Sequence, residues 1–550
     1  MANKLPERKV ADILLQENAS ITKWTEDVSD EEIDVVEEQS DQSDLGNSSG
    51  NEDLGVHTGN LQSQSDNEHP GPTNGAEDCN TIEEFWSILF NECIINVIVT
   101  HTNHKIEEHR ADLIARGINV QSYHHQTEAC EIKAYIGLLY YSGLWKTSNV
   151  DDNVLWSKKQ GITFYRCVMS LNRFRFLSKS IRFDQKSNRD ENDKFAPIRE
   201  IWDIFIKNCM TYYNPHKFCT VDEQLLGFRG RCPFRVFIKS KPVKYGLKIV
   251  TLNDATTSYL IYGIPYIRKE NFVGSLEIIP QKIFTDVTIP IHGSNRTITC
   301  GSWFTSIMLI EMMMDAPYNL TITGTLKKNK KEIPKEMKIA SQSPPDTKFC
   351  FSKTKRISLL SYTPKQREIV LVASSYSTST RIVDGIPEII LHYNATKDGT
   401  NCFDQLCRAH TVSRKTNRWT MRFFYGMLDQ AIVNARILLK CKLINVNKDR
   451  PLPATECLET IYRYLIVPYL QIRQTCPSLR FDIKIGISGI LDSDKELAQP
   501  SNRTYLKKRK RCTLCKATTD RKTREVCMAC DQPMCDKHRA FYCINCAGCD

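Results

Sequence analysis

From Ile82 onward large apolar side chains recur three and four residues apart: Phe85, Trp86, Ile88, Leu89 and Phe90, then Ile94, Ile95, Val97 and Ile98, and later Ile132, Tyr135, Ile136, Leu138 and Leu139. That period predicts helices, which should dominate to about residue 213. The pattern then shortens. Phe218 to Leu226, Phe234 to Ile238, Leu247 to Leu252 and Tyr259 to Tyr262 are brief apolar or β-branched runs separated by Gly, Pro and Asn, as consecutive strands require. Met308 to Met314 reads as a helix, whereas Tyr318 to Gly324, Glu368 to Ser374 and Ile389 to Tyr393 have strand chemistry. Between Lys327 and Pro364 the chain is Lys-rich and broken by prolines, which predicts an excursion away from the sheet rather than part of its core. Helical spacing returns from Trp419 to Leu439 and from Ala454 to Leu470. The fold class read from this pattern is α/β with helical flanks.

Residues 26 to 80 show no such period. They are rich in Asp, Glu, Ser, Asn, Gly and Gln with few large apolar groups, so burial cannot offset the entropy of ordering them, and a disordered acidic arm over 1–80 is expected. The charge is correspondingly split. Residues 1–80 hold 19 Asp/Glu against 4 Lys/Arg, net −15, which leaves 70 basic and 45 acidic residues, net +25, for residues 81–550. A folded body so basic suggests a polyanionic partner, because each Lys or Arg beside a phosphate releases condensed counterions; charge for solubility alone is the other reading. At 41% hydrophobic and 25% charged residues in 550, with no apolar run near the roughly 18 residues a span needs, a membrane role is excluded. The first residues, MANKLPERKVADILL, offer no signal-peptide core, so reduced thiols are expected. The run Lys507-Lys508-Arg509-Lys510-Arg511 closes a polar stretch and is a candidate nuclear address in a flexible basic linker, 494–511.

The last 50 residues contain a strict pattern: Cys512-x2-Cys515, Cys527-x2-Cys530, Cys535-x2-His538 and Cys543-x2-Cys546. Two residues between ligands let both side chains of a pair reach one ion, and four pairs supply two closed tetrahedral sites, as two structural zinc ions require. A disulfide framework is the alternative, disfavoured by the histidine and by a reducing compartment. Four protein ligands leave no open position for a catalytic zinc. Pairing first with third and second with fourth, a cross-brace, is preferred over sequential filling. So short a module has little core, so zinc should supply most of its folding energy.

Two further blocks are specific. Val221-Asp222-Glu223-Gln224-Leu225-Leu226-Gly227-Phe228-Arg229-Gly230-Arg231 and Lys241-Pro242-Val243-Lys244-Tyr245-Gly246-Leu247-Lys248 closely resemble the piggyBac family of DNA transposases. The resemblance continues through Ile298-Thr299-Cys300, Trp303-Phe304-Thr305-Ser306, Glu332-Ile333-Pro334, Tyr393-Asn394-Ala395-Thr396-Lys397 and Ser413-Arg414-Lys415-Thr416-Asn417-Arg418-Trp419, and covers about residues 82 to 546. It implies a ribonuclease-H-like core interrupted by an insertion domain, flanked by helical regions that dimerise and bind DNA. The implied map places the acidic arm at 1–80, the first helical region at 81–215, the core at 216–326 and 388–410 around an insertion domain at 327–387, the second helical region at 411–493, the linker at 494–511 and the zinc domain at 512–550.

The resemblance also implies cut-and-paste transposition by three aspartates that hold two Mg²⁺ ions, one to activate the attacking oxygen and one to stabilise the leaving oxygen. Asp222 keeps the first position. Gly301 stands at the second and Asn401 at the third, while Asp404, a further family aspartate, is retained. Three principal negative charges fall to one, or four to two when Asp404 is counted. Asp398 is the nearest substitute for Asn401 but faces another direction in a regular segment. The chain is therefore expected to be a transposase-derived nuclear DNA-binding protein unable to catalyse transposition, with Mg²⁺ used only if the site functions. An active transposase at TTAA sites, alone or in a mixed dimer, and a zinc-dependent protein-interaction factor are the alternatives. The implied partners are double-stranded DNA, at terminal repeats or a TTAA target, and a second copy in a homodimer. Lys327, Lys328, Lys330 and Lys331, with Arg414, Lys415 and Arg418, are the implied DNA contacts, and Trp419 is expected to pack in the core rather than stack on a base.

Overall fold

The computed structural model describes residues 37–38, 70–239, 241, 243–267, 278–354, 356–445, 452–492, 505–526 and 532–538. Most of the acidic arm, the first part of the linker, and Cys527, Cys530, Cys543 and Cys546 lie outside the described residues.

The helices fall where the period places them. Helix α1 (Ile82–Leu89) opens on a capping box, Thr81 Oγ1 accepting from Glu84 N while Glu84 Oε2 accepts from Thr81 N at 3.0 Å. Its face of Ile82, Phe85, Trp86 and Leu89 is buried. Then come α2 (Glu92–Ala115), α3 (Ala129–Leu144), α4 (Leu171–Ser180) and α5 (Ala196–Thr211). Helix α3 is the axis of this region and is buried over most of its length. Its Tyr140 hydroxyl accepts from Trp86 Nε1 at 2.8 Å and donates to the carbonyl of Leu428 at 2.9 Å, so it ties together segments 288 residues apart.

The core sheet follows: β1 (Phe218–Gly227), β2 (Val236–Ile238), β3 (Tyr245–Asp254), β4 (Leu260–Pro265), β5 (Thr297–Cys300) and β6 (Thr321–Thr325). The β4–β3 and β3–β1 pairs are antiparallel, while β1–β5 and β5–β6 are parallel. This β4-β3-β1-β5-β6 order, with β1 at its centre, is the core the resemblance implies. Parallel neighbours need crossovers, supplied here by α6 (Ile278–Val287) and α7 (Ile307–Met314).

Three sequence expectations are corrected. The Lys-rich segment after Lys327 does not leave the sheet: β7 (Asp346–Phe351), β8 (Ser358–Thr363) and β9 (Val370–Ser374) extend it, β9 pairing antiparallel with β6. Leu360, Tyr362, Val370 and Val372 bury their side chains with Ile389 and Ile390 in a separate small core, which anchors strands whose flanks are polar. Residues around Ile389–Tyr393 form a helix, α8 (Glu388–Thr396), because Ile389 and Ile390 need only one buried side. It is followed by α9 (Gly399–Ala409), packed on β1 and β3. Third, the end of the basic run is not a flexible linker, since β10 (Tyr505–Arg511) pairs with β11 (Lys522–Glu525).

The last helices, α10 (Trp419–Asn445), α11 (Ala454–Thr475) and α12 (Phe481–Asp492), return to the first. Gly137 of α3 allows α11 to close on it: a Cβ there would lie 2.5 Å from Ile466 Cγ1. Between them Arg173 and Glu131 form a buried pair, with Nη2–Oε2 at 2.6 Å and Nε–Oε1 at 2.9 Å, and the Tyr469 hydroxyl of α11 adds a bond at 3.1 Å. One helical body is thus built from both ends of the chain around an α/β core. Among the described residues no helix is long and apolar enough to cross a membrane.

Candidate active site and metal cluster

Parallel pairing of β1 with β5 sets Val221 opposite Cys300. Asp222 is the next residue on β1 and Gly301 the first residue past the end of β5, so the first two carboxylate positions of the resemblance follow one paired position, roughly 5 Å apart if strand spacing holds for one more residue. Asp222 is half-buried and its Oδ1 accepts from Glu223 N at 2.8 Å. Burial pushes its carboxyl above the usual carboxylate range, and the Lys241 ammonium opposes that shift only in part. At Gly301 a Cβ would meet nothing within 4 Å. The space for a second side chain is open, and no neighbour has repacked into it.

Helix α9 brings the third position. Gly399 lets its first turn press on β1, where a Cβ would lie 2.6 Å from Thr220 Oγ1. Asn401, two residues on, is exposed and accepts a hydrogen bond from Lys241 Nζ at 3.2 Å. Asp404 is one turn further and buried. It pairs with Arg408 and accepts from Gln224 Nε2 at 3.4 Å, while Gln224 Oε1 accepts from Gln430 Nε2 at 2.7 Å. Burial raises the Asp404 carboxyl, with Arg408 and Lys241 opposing. Asp398 is exposed at the start of α9, where its backbone carbonyl accepts from Cys402 N.

The residues present do not suit a pair of magnesium ions. Asp222 is one carboxylate, Gly301 offers no ligand, Asn401 Oδ1 is engaged by a cation, and Asp404 is held by Arg408 and Gln224. Among the described residues no three His, Cys, Asp or Glu side chains converge here. What the site presents to an anion is the Lys241 ammonium.

Two participants escaped the sequence reading. Lys241 was legible only as part of a matching block. Lys248 is a fully buried ammonium that pairs with Glu223 Oε1 at 3.4 Å and sits 3.8 Å from the Trp303 ring centroid and 4.7 Å from that of Tyr266. Burial works against the Glu223 charge, but Lys248 and the bond to Asp222 outweigh it and hold that carboxyl below its usual range. An apolar strand reading gives no sign of a lysine stored under two rings.

The implied DNA contacts divide. Lys328 and Lys331 are exposed, and Lys327 and Lys330 half-exposed, on the loop after β6. Arg414 faces inward: its Nη2 bonds Asp152 Oδ1 at 2.7 Å and the Val150 carbonyl at 2.9 Å. Arg418 donates to the carbonyls of Ser178, Lys179 and Ile181 at the end of α4, and burial, with Arg182 nearby, lowers its pKa to about 10. Lys415 between them is exposed. Trp419 packs between Phe195 and Phe234, with ring centroids at 6.0 and 5.0 Å.

At the C-terminus the β10–β11 hairpin brings the first and third motif pairs together. Cys512, Cys515, Cys535 and His538 place their ligand atoms within 4.8 Å of one another. His538 Nδ1 lies 3.5 Å from Cys512 Sγ, 3.7 Å from Cys515 Sγ and 3.5 Å from Cys535 Sγ, and Cys515 and Cys535 are 3.6 Å apart. Tetrahedral zinc with Zn–S near 2.3 Å and Zn–N near 2.1 Å has ligand edges of about 3.8 and 3.6 Å. The four residues fit a metal ion of that kind.

A family model described as Transposase IS4 matches residues 83–436. Over 257 residues the chain is 21% identical to human (Homo sapiens) PiggyBac transposable element-derived protein 3, a match covering 45% of this chain and 40% of that protein. The human Chimeric ERCC6-PGBD3 protein matches at 21% over 257 residues, 45% of this chain and 22% of its own length. The chain thus spans less than half the length of these curated relatives. A solved structure, the cryo-EM synaptic complex of piggyBac transposase with hairpin DNA, is 34% identical, with a TM-score of 0.76 over 87% of this chain and 100% of that one.

Proposed function

Because the chain belongs to the piggyBac transposase family, we propose that it is a DNA-binding protein whose acid cluster no longer supports strand cleavage. One observation carries the reading: Gly301 lies beside Asp222, and the Asn401 amide is bound to the Lys241 ammonium. The metal pair of the family neutralises the phosphodiester and activates the attacking oxygen when bound. Here one carboxyl, that of Asp222, is raised by burial and bonded to Glu223, and the nearby Lys241 binds phosphate but activates no water.

Binding needs less than cleavage. Lys241, Lys328, Lys331 and Lys415 offer charge-assisted hydrogen bonds to backbone phosphates, a contact that tolerates any sequence. The solved relative is a synaptic complex with hairpin DNA, which supports a duplex or its ends as this chain's ligand. In the zinc domain Cys512, Cys515, Cys535 and His538 would hold one ion that fixes the hairpin bearing Lys508, Arg509, Lys510 and Arg511. A second ion at Cys527, Cys530, Cys543 and Cys546, a homodimeric state and a nuclear address in the basic run complete the proposal.

The test is an excision assay on a marker flanked by the element's terminal repeats, with duplex binding measured in parallel. Binding without excision is expected; excision by the unmodified chain would refute the proposal.

A further inference from the structure

The β2 edge of the core sheet has an occupant, and it comes from the acidic arm. Strand β2 pairs on one side with β3, Phe237 standing opposite Tyr245. Ile238 N donates to the Lys244 carbonyl at 2.8 Å, and because backbone groups alternate along a strand, the N–H and C=O of Phe237 turn to the outer side. Left open, such an edge is a template for another strand. Glu37–Glu38 fills it, running parallel to β2 with Glu37 opposite Phe237 and Glu38 opposite Ile238. The template itself is held in place: Val236 and Ile238 bury with Leu225 in a small core, and the Phe237 ring lies 4.8 Å from that of Tyr245.

The two partners are complementary in charge. Residues 26–44 hold ten Asp/Glu and no Lys or Arg, and Ile33, Val35 and Val36, just before the paired residues, are β-branched types that suit a strand. From Gly227 to Tyr245 the opposing segment holds six Lys/Arg and no carboxylate. Lys239 and Lys244 are exposed. Lys241, whose ammonium bonds Asn401 at the acid remnant, is three residues beyond Ile238 and so within about 11 Å of it along the chain, about one Debye length at 0.1 M salt.

We propose that the β2 edge is a docking site for an extended acidic strand, that Glu37–Glu38 of this chain is its resident occupant, and that the docked arm competes with DNA for the cations beside it. Main-chain bonds to the edge hold the strand, and the acidic residues around it supply the charge that a phosphate backbone would otherwise bring. Because the arm is tethered to the body it covers, its effective concentration is high, and modest pairing is enough to screen Lys241. The competition rests on the DNA-binding reading above; the pairing does not.

The experiment uses the full chain in two variants of equal charge. Glu37→Gln with Glu38→Gln keeps both backbone N–H groups, whereas Glu37→Pro with Glu38→Pro removes them, so only the second loses its ladder donors. Hydrogen exchange reads the docking. The Phe237 amide should exchange slowly in the unmodified chain and the Gln variant and fast in the Pro variant; equal exchange in all three overturns the pairing. Affinity for a 30-base-pair duplex reads the competition. With about ten docked molecules to one free, apparent affinity falls about tenfold, so the Pro variant should bind about tenfold tighter than the Gln variant. Equal affinities alongside a protected Phe237 overturn the competition. Should no form bind duplex, the DNA reading itself fails, and the exchange of Phe237 still decides whether the arm docks.

Discussion

Returning aspartate to positions 301 and 401 should rebuild a metal site at a cost that only metal offsets. At Gly301 the new Cβ meets nothing within 4 Å, so the penalty is electrostatic rather than steric. Two carboxylates on neighbouring strands about 5 Å apart repel by about 3 kcal/mol at an effective dielectric constant near 20. Asp222, already pushed above the usual range by burial, would take up a proton before sharing that space as an anion. At position 401 the Lys241 ammonium would meet a full negative charge instead of an amide oxygen, which returns part of the loss. The metal-free double variant should therefore unfold about 1 to 3 kcal/mol more easily than the unmodified chain. Ten millimolar Mg²⁺ against a millimolar site would recover about 1.4 kcal/mol, seen as a rise in Tm, whereas the unmodified chain should show no specific rise. Urea unfolding with and without Mg²⁺, against a matched ionic-strength control, measures both terms. Equal Mg²⁺ stabilisation of the two proteins would refute the reasoning, because it would mean that a metal site exists without those carboxylates.

Three other perturbations test separate parts of the molecule. If, as proposed, Cys512, Cys515, Cys535 and His538 hold a zinc ion whose binding supplies the module's folding energy, a chelator or Cys535→Ser should open the β10–β11 hairpin to protease and weaken duplex binding while leaving the melting of the α/β body unchanged; a hairpin equally protected in chelator would contradict this. Glu131→Gln should cost on the order of 3 to 5 kcal/mol in urea unfolding, since it leaves Arg173 buried without its counter-charge; a loss under 1 kcal/mol would show that the pair is not a keystone. Burial raises Asp429 to about 7, so its neutral form stabilises the fold below about pH 4 and that contribution is lost as pH rises through 7. The loss is of order 4 kcal/mol at most, and Asp429→Asn should flatten the stability profile between pH 4 and 8. An unchanged profile would assign the slope to other groups.

The sequence made the helices and the central strands legible because their periods are unmixed and their apolar faces wide. The three corrections share a cause. Strands β7 and β8 carry lysine and proline at their margins, and only the buried Leu360 and Tyr362 reveal them. Helix α8 contains Ile389 and Ile390 in a row, a pair compatible with either period. Strand β10 is cationic from Lys507 to Arg511 and pairs with β11. At the site, the chemistry of Asp222, Gly301 and Asn401 could be named from motif position. That Asp222 and Gly301 are adjacent required the register of β1 with β5, and the place of Lys241 required the fold of a loop against α9. The inward turn of Arg414 and Arg418 was hidden because a cationic run looks alike whether it faces carbonyls or solvent.

The bond from Tyr140 to the Leu428 carbonyl also has a meaning for biosynthesis. At 5 to 20 residues per second a ribosome needs about 14 to 58 seconds to deliver the later partner after the earlier one. Throughout that interval α1 and α3 exist without α10 and α11, with the tryptophan, tyrosines and isoleucines of their contact faces uncovered. The nascent amino-terminal half therefore carries uncovered apolar surface until the later helices emerge, and slower translation through the α/β core would lengthen that exposure.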